Sequence, residues 1–131
     1  MASFSKSSLA KLETCDPRIK SVMLEVVRGF DCTIICGHRG EEEQNKHFNS
    51  GNSKLRYPNS KHNKTPSIAV DVAPYPIDWN DTARFRYFAG YVRGVAAMMG
   101  VRLRWGGDWD MDNQLSDNGF NDLVHFELTG E

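Results

Sequence analysis

Two ionisable side chains stand inside apolar runs of this sequence, where burial without a partner would cost free energy. Asp71 lies within residues 68–73 and His125 within residues 123–128, and His62 belongs to the segment that leads into the first run. Two imidazoles and one carboxylate are typical ligands of catalytic zinc, which keeps a fourth position open and lowers the pKa of a bound water to about 7. We therefore predict a Zn2+ site at His62, Asp71 and His125.

The same three residues allow other interpretations. They form no short motif such as H-E-x-x-H, and any single histidine can be a structural side chain. Two histidines and a carboxylate also bind iron in some oxygenases, although the histidine and the acid there usually lie two residues apart. Of the other histidines, His47 is expected to be solvated on a polar helix, whereas His38 adjoins Arg39 and is a weaker candidate for the site.

An acidic segment suggests a second ion. The alternating carboxylates of Asp108, Asp110 and Asp112 are typical of the start of a calcium-binding loop. The motif then fails, because Asn113 occupies the sixth position instead of glycine and Gly119 the twelfth position instead of an acid. We therefore expect a solvated loop at the border of a cleft rather than a calcium site.

The composition restricts the class of protein. With 131 residues, 40 % apolar and 25 % charged, the chain is expected to form one soluble globular domain over residues 1–131, and we expect a monomer. A net charge of -1 argues against nucleic-acid binding, and no apolar run is long enough for membrane insertion. The first six residues lack the apolar core of a secretory signal, so we expect folding in a cytoplasm. The three cysteines, Cys15, Cys32 and Cys36, are odd in number, and Cys32 and Cys36 lie in an apolar run, so we interpret these two as free buried thiols rather than as a disulfide or metal ligands.

Periodicity and capping residues predict the elements that must position the ligands. We expect helices over residues 17–29, 41–48 and from an Asn80 or Asp81 cap to Gly100, strands over 30–36, 68–73, 101–105 and 123–128, and loops over 52–66 and 106–121. This order predicts an α+β fold, a small and mainly antiparallel sheet with helices packed on one face.

Four separated segments resemble, in the same order, the zinc peptidases that act on peptidoglycan. Ser60–His62, Ala69–Asp71 and Asp122–His125 are similar to the S-x-H, A-x-D and [DE]-x-x-H segments of that family, and Gly37–Gln44 to its G-x-R…Q segment. The family contains D-alanyl-D-alanine carboxypeptidases and dipeptidases and the L-alanyl-D-glutamate peptidases of phage endolysins. The opening residues Phe4–Leu9 resemble the endolysin branch.

This resemblance implies a role for each matching residue. It implies that His62, Asp71 and His125 bind zinc and that Asp122 is the general base, although Asp122 could instead cap a turn at residues 118–119. One departure from the family is the longer, glycine-free connection Asn63–Ser67 between the first histidine and the aspartate.

Two further residues match the family. Arg39 is implied to face the substrate carbonyl and stabilise developing negative charge, the alternative being a surface ion pair with one of the glutamates at positions 41–43. Ser60 is implied to orient the substrate, or else it simply forms a turn.

The implied function is an L-alanyl-D-glutamate endopeptidase that cuts the peptidoglycan stem peptide as a phage endolysin. It would wait in the cytoplasm of the infected bacterium and reach the wall after the membrane is permeabilised. A D-alanyl-D-alanine carboxypeptidase or dipeptidase is the alternative in the same class, and it would need a cationic pocket for the free carboxylate. An inactive zinc-bearing binding module, as in Hedgehog signalling domains, is the alternative in another class.

Overall fold

The structure, a computed structural model, describes residues 2–111, 113 and 122–130. Its helices and strands within these ranges are α1 (Lys6–Leu12), α2 (Pro17–Gly29), β1 (Cys32–Cys36), α3 (Glu41–Asn49), β2 (Ala69–Pro74), α4 (Thr82–Met98), β3 (Leu103–Gly106) and β4 (Asp122–Leu128), with a short 3-10 turn at Lys61–Asn63.

The four strands form one antiparallel sheet in the order β1-β2-β4-β3. The central pair is β2 with β4, and its register places Asp71 opposite His125. The prediction of an α+β fold with a small antiparallel sheet is confirmed. The register matters for function, because residues directly opposite each other in a sheet share one face.

The two faces of this sheet differ in character, since successive side chains of a strand point to opposite faces. One face packs into a core with α2 and α4, through the buried residues Ile34, Val70, Val72, Leu103, Trp105, Phe126 and Leu128. The opposite face carries the ionisable residues Asp71, Arg104, His125 and Glu127, which line a cleft. Helix α3 contributes buried Gln44 near this cleft rather than to the apolar core.

Helix α1 was not predicted from the sequence. It spans only Lys6–Leu12, and it begins after Ser5, whose hydroxyl accepts a hydrogen bond from the backbone N–H of Ser8 at 3.1 Å. The Ser8 hydroxyl in turn accepts one from the backbone N–H of Ile34 at 3.1 Å. This contact attaches α1 to β1. The sequence of α1 has no apolar periodicity that would predict a helix.

The structure identifies the residues that cap the predicted helices and the contacts that hold one of the predicted loops. Asp16 caps α2 as expected, and Asp81 rather than Asn80 caps α4. The connection Asn63–Ser67 is anchored at its end, because Ser67 is fully buried and pairs through its backbone with Thr14 and Asp16. The predicted acidic loop falls partly on residues 112 and 114–121, which lie outside the described residues.

All three cysteines are free, and the predicted burial is confirmed for Cys32 but not for Cys36. Cys15 and Cys32 are buried, whereas Cys36 is only half-buried, beside Asp71 in the register of β1 with β2. Burial raises the pKa of the Cys15 thiol to about 11 and that of the Cys32 thiol to about 12. Across the part of the chain that is described, no helix is long and apolar enough to cross a membrane.

Candidate metal centre

Three buried side chains meet at the centre of the polar face. His62 Nε2 and His125 Nδ1 each lie 3.1 Å from Asp71 Oδ1, and the two nitrogen atoms lie 3.2 Å from each other. The three residues come from the 3-10 turn, β2 and β4, and the pairing of Asp71 with His125 in the sheet brings two of them together. The structure therefore brings together all three residues predicted as metal ligands.

The outer nitrogen of each imidazole is held by an acceptor. His62 Nδ1 lies 2.7 Å from the carbonyl oxygen of Gly37, and His125 Nε2 lies 2.8 Å from Glu127 Oε1. A carbonyl or carboxylate oxygen can only accept, so these two ring nitrogens carry the hydrogen. When the rings are neutral, as in metal-ligating histidines, their unprotonated nitrogens therefore face Asp71.

This donor set fits a divalent transition metal. Two nitrogen atoms and a carboxylate oxygen within 3.1–3.2 Å of one another repel through their lone pairs unless protons or a metal cation lie among them. Ligand atoms of a tetrahedral zinc ion, with bonds of about 2.0–2.1 Å, are separated by about 3.3 Å. Spacing and chemistry therefore both agree with a bound cation, and zinc is one metal that prefers imidazole with carboxylate.

The electrostatics of the three ligands also favour a cation. Burial alone would lower the pKa of His62, but hydrogen bonding to Asp71 and Cys36 raises it to about 10. Burial alone would raise the pKa of Asp71, and its contacts with His125 and His62 instead hold it well below its ordinary value. Protons and a metal ion thus compete for the same nitrogen atoms.

Arg39 supports Asp71 from the side opposite the histidines. Its guanidinium is buried, with Nη2 donating to Asp71 Oδ2 at 3.3 Å and Nη1 donating to Gln44 Oε1 at 2.9 Å. This burial excludes the alternative of a surface ion pair with the glutamates at 41–43. Arg39 also lines the cleft, so it lies between the ligand carboxylate and the space available to a substrate.

Gln44 and Asn63 fix the position of Arg39. The Gln44 amide nitrogen donates to Ser53 Oγ at 2.9 Å and to the Leu55 carbonyl at 2.6 Å, and Asn63 Nδ2 donates to the Arg39 carbonyl at 2.8 Å. Gln44 belongs to the family motif, whereas sequence reasoning missed Asn63. Its position three residues after Ser60 was the available signal, because a serine followed by an amide at that distance can cap a turn reciprocally.

Ser60 has the geometry of a turn former. Its hydroxyl accepts from the His62 backbone N–H at 3.2 Å, and its own backbone N–H donates to Asn63 Oδ1 at 3.0 Å. These bonds set the 3-10 turn that presents His62. Ser60 is buried and also lines the cleft, so a contact with substrate is compatible with its structural role.

Glu127 binds cationic side chains beside the candidate metal centre. Its supporting role was not predicted from the sequence. Its Oε1 accepts from His125, and its Oε2 accepts from Arg104 Nη2 at 2.6 Å and Nε at 3.1 Å and also lies 3.2 Å from Lys61 Nζ. Burial alone would raise its pKa, but the hydrogen bonds from His125 and Arg104 lower it to about 2. The signal was available, because alternate residues of a strand share a face and Glu127 follows His125 by two.

Asp122 opens β4 at the edge of the cleft. Its backbone lies against Gly106, where a Cβ atom would collide with the Asp122 carbonyl group. Burial raises the pKa of Asp122, and the nearby negative charge of Asp71 raises it further. Its carboxyl group lines the same cleft as the metal ligands. The turn that Asp122 was alternatively expected to cap lies outside the described residues.

The remaining candidates divide between the cleft and the rest of the surface. His47, which was expected to be solvated on a polar helix, lies on α3, is half-buried and lines the cleft, whereas His38 is not among the lining residues. Trp109 packs against the His125 ring, with the ring centroids 5.5 Å apart. Asp108 is buried and accepts from Arg93 Nη1 at 3.1 Å, so an arginine already neutralises the first carboxylate of the acidic segment.

Comparison with known proteins places these residues in context. Residues 1–129 match the model of a family described as phage L-alanyl-D-glutamate peptidase. The structure is also similar to the crystal structure of the L-Ala D-Glu endopeptidase ChiX of Serratia marcescens, with a TM-score of 0.76 and 24 % identity over 98 % of this chain and 91 % of that chain. At this identity the similarity supports the fold.

Proposed function

We propose that this chain, which belongs to the phage L-alanyl-D-glutamate peptidase family, is a zinc-dependent endolysin that hydrolyses the L-Ala-D-Glu bond of the peptidoglycan stem peptide. The observation that carries the proposal is the convergence of two imidazole nitrogens and a carboxylate oxygen in one cleft. A cluster with a purely structural role is not expected to face an open cleft that is also lined by a buried arginine and a further carboxyl group.

In this proposal His62 Nε2, His125 Nδ1 and Asp71 Oδ1 hold the zinc ion. When bound, zinc supplies Lewis-acid chemistry, which polarises a carbonyl group and makes water a better nucleophile at neutral pH. Gly37 and Glu127 keep the two imidazoles in the ligating tautomer. The two histidines are neutral as ligands, so the only formal charge among the three is that of Asp71.

Asp122 is the proposed general base. Its carboxylate accepts a proton from the attacking water as the water oxygen bonds to the scissile carbonyl carbon, and it returns the proton to the leaving nitrogen as the C–N bond breaks. A base used near neutral pH works best with a pKa closer to neutrality than an ordinary carboxyl group has. The raised pKa of Asp122 supports this assignment.

Arg39 and Ser60 have proposed roles toward the substrate. Arg39 stabilises the negative charge that develops on the carbonyl oxygen, and its rigid attachment to Gln44 and Asp71 means that little reorganisation is needed. Ser60 contributes a polar contact to the stem peptide from the wall of the cleft. Both roles use side chains that the fold already holds in place.

Digestion of purified peptidoglycan followed by mass spectrometry tests the proposed bond. We expect new L-alanine carboxyl termini and new D-glutamate amino termini, and no product from a His62→Ala variant. Release of free D-alanine would instead identify the alternative carboxypeptidase or dipeptidase. Elemental analysis of the same preparations should give about one zinc per chain, and loss of zinc in the triple variant His62→Ala, Asp71→Ala, His125→Ala.

We also propose that the protein remains in the host cytoplasm until the membrane is permeabilised. Expression alone in bacteria should let the protein accumulate without lysis, and a permeabilising agent should then trigger lysis. Prompt lysis on expression alone would contradict this. The His62→Ala variant is the control, because it should accumulate equally and cause no lysis after permeabilisation.

A further inference from the structure

Positive charge is concentrated in the cleft. The described residues that line it include four cations, Arg39, Lys54, Lys61 and Arg104, and three carboxylates, Asp71, Asp122 and Glu127. The whole chain has a formal net charge of -1. The cleft is therefore cationic relative to the rest of the molecule even before a metal ion is counted, and such a cleft attracts anions.

Two of these cations share a single carboxylate. Arg104 Nη2 lies 2.6 Å and Lys61 Nζ 3.2 Å from the same Glu127 oxygen, Oε2. The third contact of Glu127, with His125, uses Oε1 and adds no positive charge when the imidazole is a neutral metal ligand. One cation would neutralise Glu127, so among the described residues of this cluster the pair leaves about one unit of positive charge in excess.

This surplus charge is accessible from the cleft. The side chain of Lys61 is 36 % exposed and that of Arg104 is 32 % exposed, whereas that of Glu127 is 7 % exposed. The buried carboxylate fixes the two cations, and Lys61 Nζ also donates to the Leu128 carbonyl at 3.3 Å and Arg104 Nη1 to the Trp109 carbonyl at 3.5 Å, while both side chains remain partly exposed in the cleft. Fixed donors lose little conformational freedom when they bind an anion, which makes the arrangement suited to recognition.

We propose that Lys61 and Arg104, held by Glu127, form a subsite for the free α-carboxylate of the residue on the leaving side of the scissile bond. This inference rests on the proposed function. In the stem peptide D-glutamate continues the chain through its γ-carboxyl group, so its α-carboxyl group, where it is not amidated, is a free carboxylate next to the scissile nitrogen. Glu127 orients both a metal ligand, His125, and the two cations, so the same buried group sets the distance between them.

A matched pair of peptides tests the subsite. Both are L-Ala-γ-D-Glu-L-Lys, one with the free α-carboxylate and the other with an α-carboxamide. Binding is measured calorimetrically with the zinc-loaded, full-length Asp122→Asn variant, which slows cleavage. We expect the carboxylate peptide to bind about tenfold to a hundredfold more tightly, the range of a charge-assisted hydrogen bond.

Three substitutions in the Asp122→Asn variant test whether Lys61 causes the preference for the carboxylate peptide. Lys61→Met should reduce it to less than about threefold, and Lys61→Arg should retain most of it because the charge remains. Lys64→Met is the control, since Lys64 is exposed near the same turn and does not line the cleft. Equal binding of both peptides, binding of neither, or an unchanged preference in Lys61→Met would overturn the proposal.

Cleavage by the wild-type enzyme separates this proposal from the proposed function. A carboxylate preference in binding, without cleavage of either peptide by the wild type, would support the subsite and contradict the peptidase assignment. Cleavage of both peptides with the same kcat/KM, and with no preference in binding, would contradict the subsite and leave the peptidase assignment intact.

Discussion

Each of the three side chains at the candidate metal centre directs one possible ligand atom toward the centre and binds a supporting group through another atom. His62 is fixed through Gly37, His125 through Glu127 and Asp71 through Arg39. Because a ring or carboxylate bonded at its outer atom has little rotational freedom, the ligand atoms are held at their separations before any ligand binds. Function at the residue scale therefore depends on these supports as well as on the ligands.

Asp122 is the residue for which chemistry and architecture can be separated. Asp122→Asn should retain zinc and the melting temperature but lose about 10²–10⁴-fold in kcat, because proton transfer is lost and the side chain keeps its shape. Bound zinc, thermal unfolding and kcat measured on one preparation check this. A loss of zinc would indicate a ligand, and a near-normal kcat would remove Asp122 from the mechanism.

Glu127 should control metal affinity. Glu127→Gln keeps the volume but replaces a strong acceptor of the His125 hydrogen, so zinc affinity should fall by about 10–100-fold. Competition with a chromophoric chelator measures the affinity directly. Glu13→Gln is the matched control, since Glu13 is exposed and its contact is an ion pair with Lys20. Equal zinc affinity in Glu127→Gln and the wild type would show that Glu127 does not support His125.

At the scale of elements, strand β4 supplies much of the site and of the core at once. His125 and Glu127 face the cleft, and Phe126 and Leu128 between and after them are buried in the core. Helix α4 covers the apolar face of β2, β3 and β4 and contributes Phe88, Ala89, Val92 and Ala96 to the same core. Sheet and helix thus position the site without contributing chemistry on their apolar sides.

Two glycines inside α4 offer a test of this helix as scaffold. An added Cβ at Gly90 or Gly94 would meet nothing within 4 Å, so Gly→Ala should stabilise the protein by about 0.5–1 kcal/mol at each position. Thermal unfolding measures the effect, and kcat should not change. Gly100→Ala is the contrast, because its φ of +74° disfavours a side chain and this variant should be destabilised.

The elements were largely predictable because their signals are local. Alternation located β4, and an aspartate followed by proline located the start of α2. Helix α1 escaped because it is short and is attached to the sheet by Ser8, a contact between residues far apart in the sequence. The ligand types were predictable because an ionisable side chain inside an apolar run is a local signal. The local signals for Glu127 and Asn63 show only a shared face and a turn, and their supporting roles depend on contacts with Arg104 and Arg39, which are distant in the sequence.

For the whole molecule, the centre connects parts of the chain that are distant in sequence. His62 and His125 are 63 residues apart, and Asp71 and His125 are 54 residues apart. A metal ion bound by all three would therefore stabilise the folded state, because the unfolded chain does not hold the three ligands together. Stability and metal binding are expected to be linked.

Removal of the metal should reduce thermal stability. With free zinc at about 100 times its dissociation constant, the linkage is worth about 2.7 kcal/mol, which corresponds to a change in Tm of roughly 10 °C for a chain of this size. Scanning calorimetry with a chelator, and then with added zinc, measures the loss and its recovery. The triple variant of the ligands should show no response to zinc.

Acid should destabilise the molecule through Glu127. Its pKa is lowered from 4.5 to about 2 in the folded protein, so its contribution is complete above the unfolded value and is lost as the pH falls from about 4.5 toward 2. Unfolding by urea at several pH values, with chelator present throughout, measures this. Glu127→Gln should show a smaller loss over that interval, and an equal loss would contradict the assignment.

The division of the sheet into an apolar and a polar face has a consequence for changes in chain length. A substitution in β4 alters one face, but deletion of one residue would reverse every side chain beyond it, turning Phe126 toward solvent and His125 into the core. Insertions and deletions within β4 should therefore abolish folding and catalysis together. The loop around Ser53 and Leu55, which lines the cleft and is bonded to the Gln44 amide and to the His47 carbonyl of α3, can change length without reversing any strand. Relatives that prefer peptidoglycan of different chemistry are therefore expected to differ in the length of this loop.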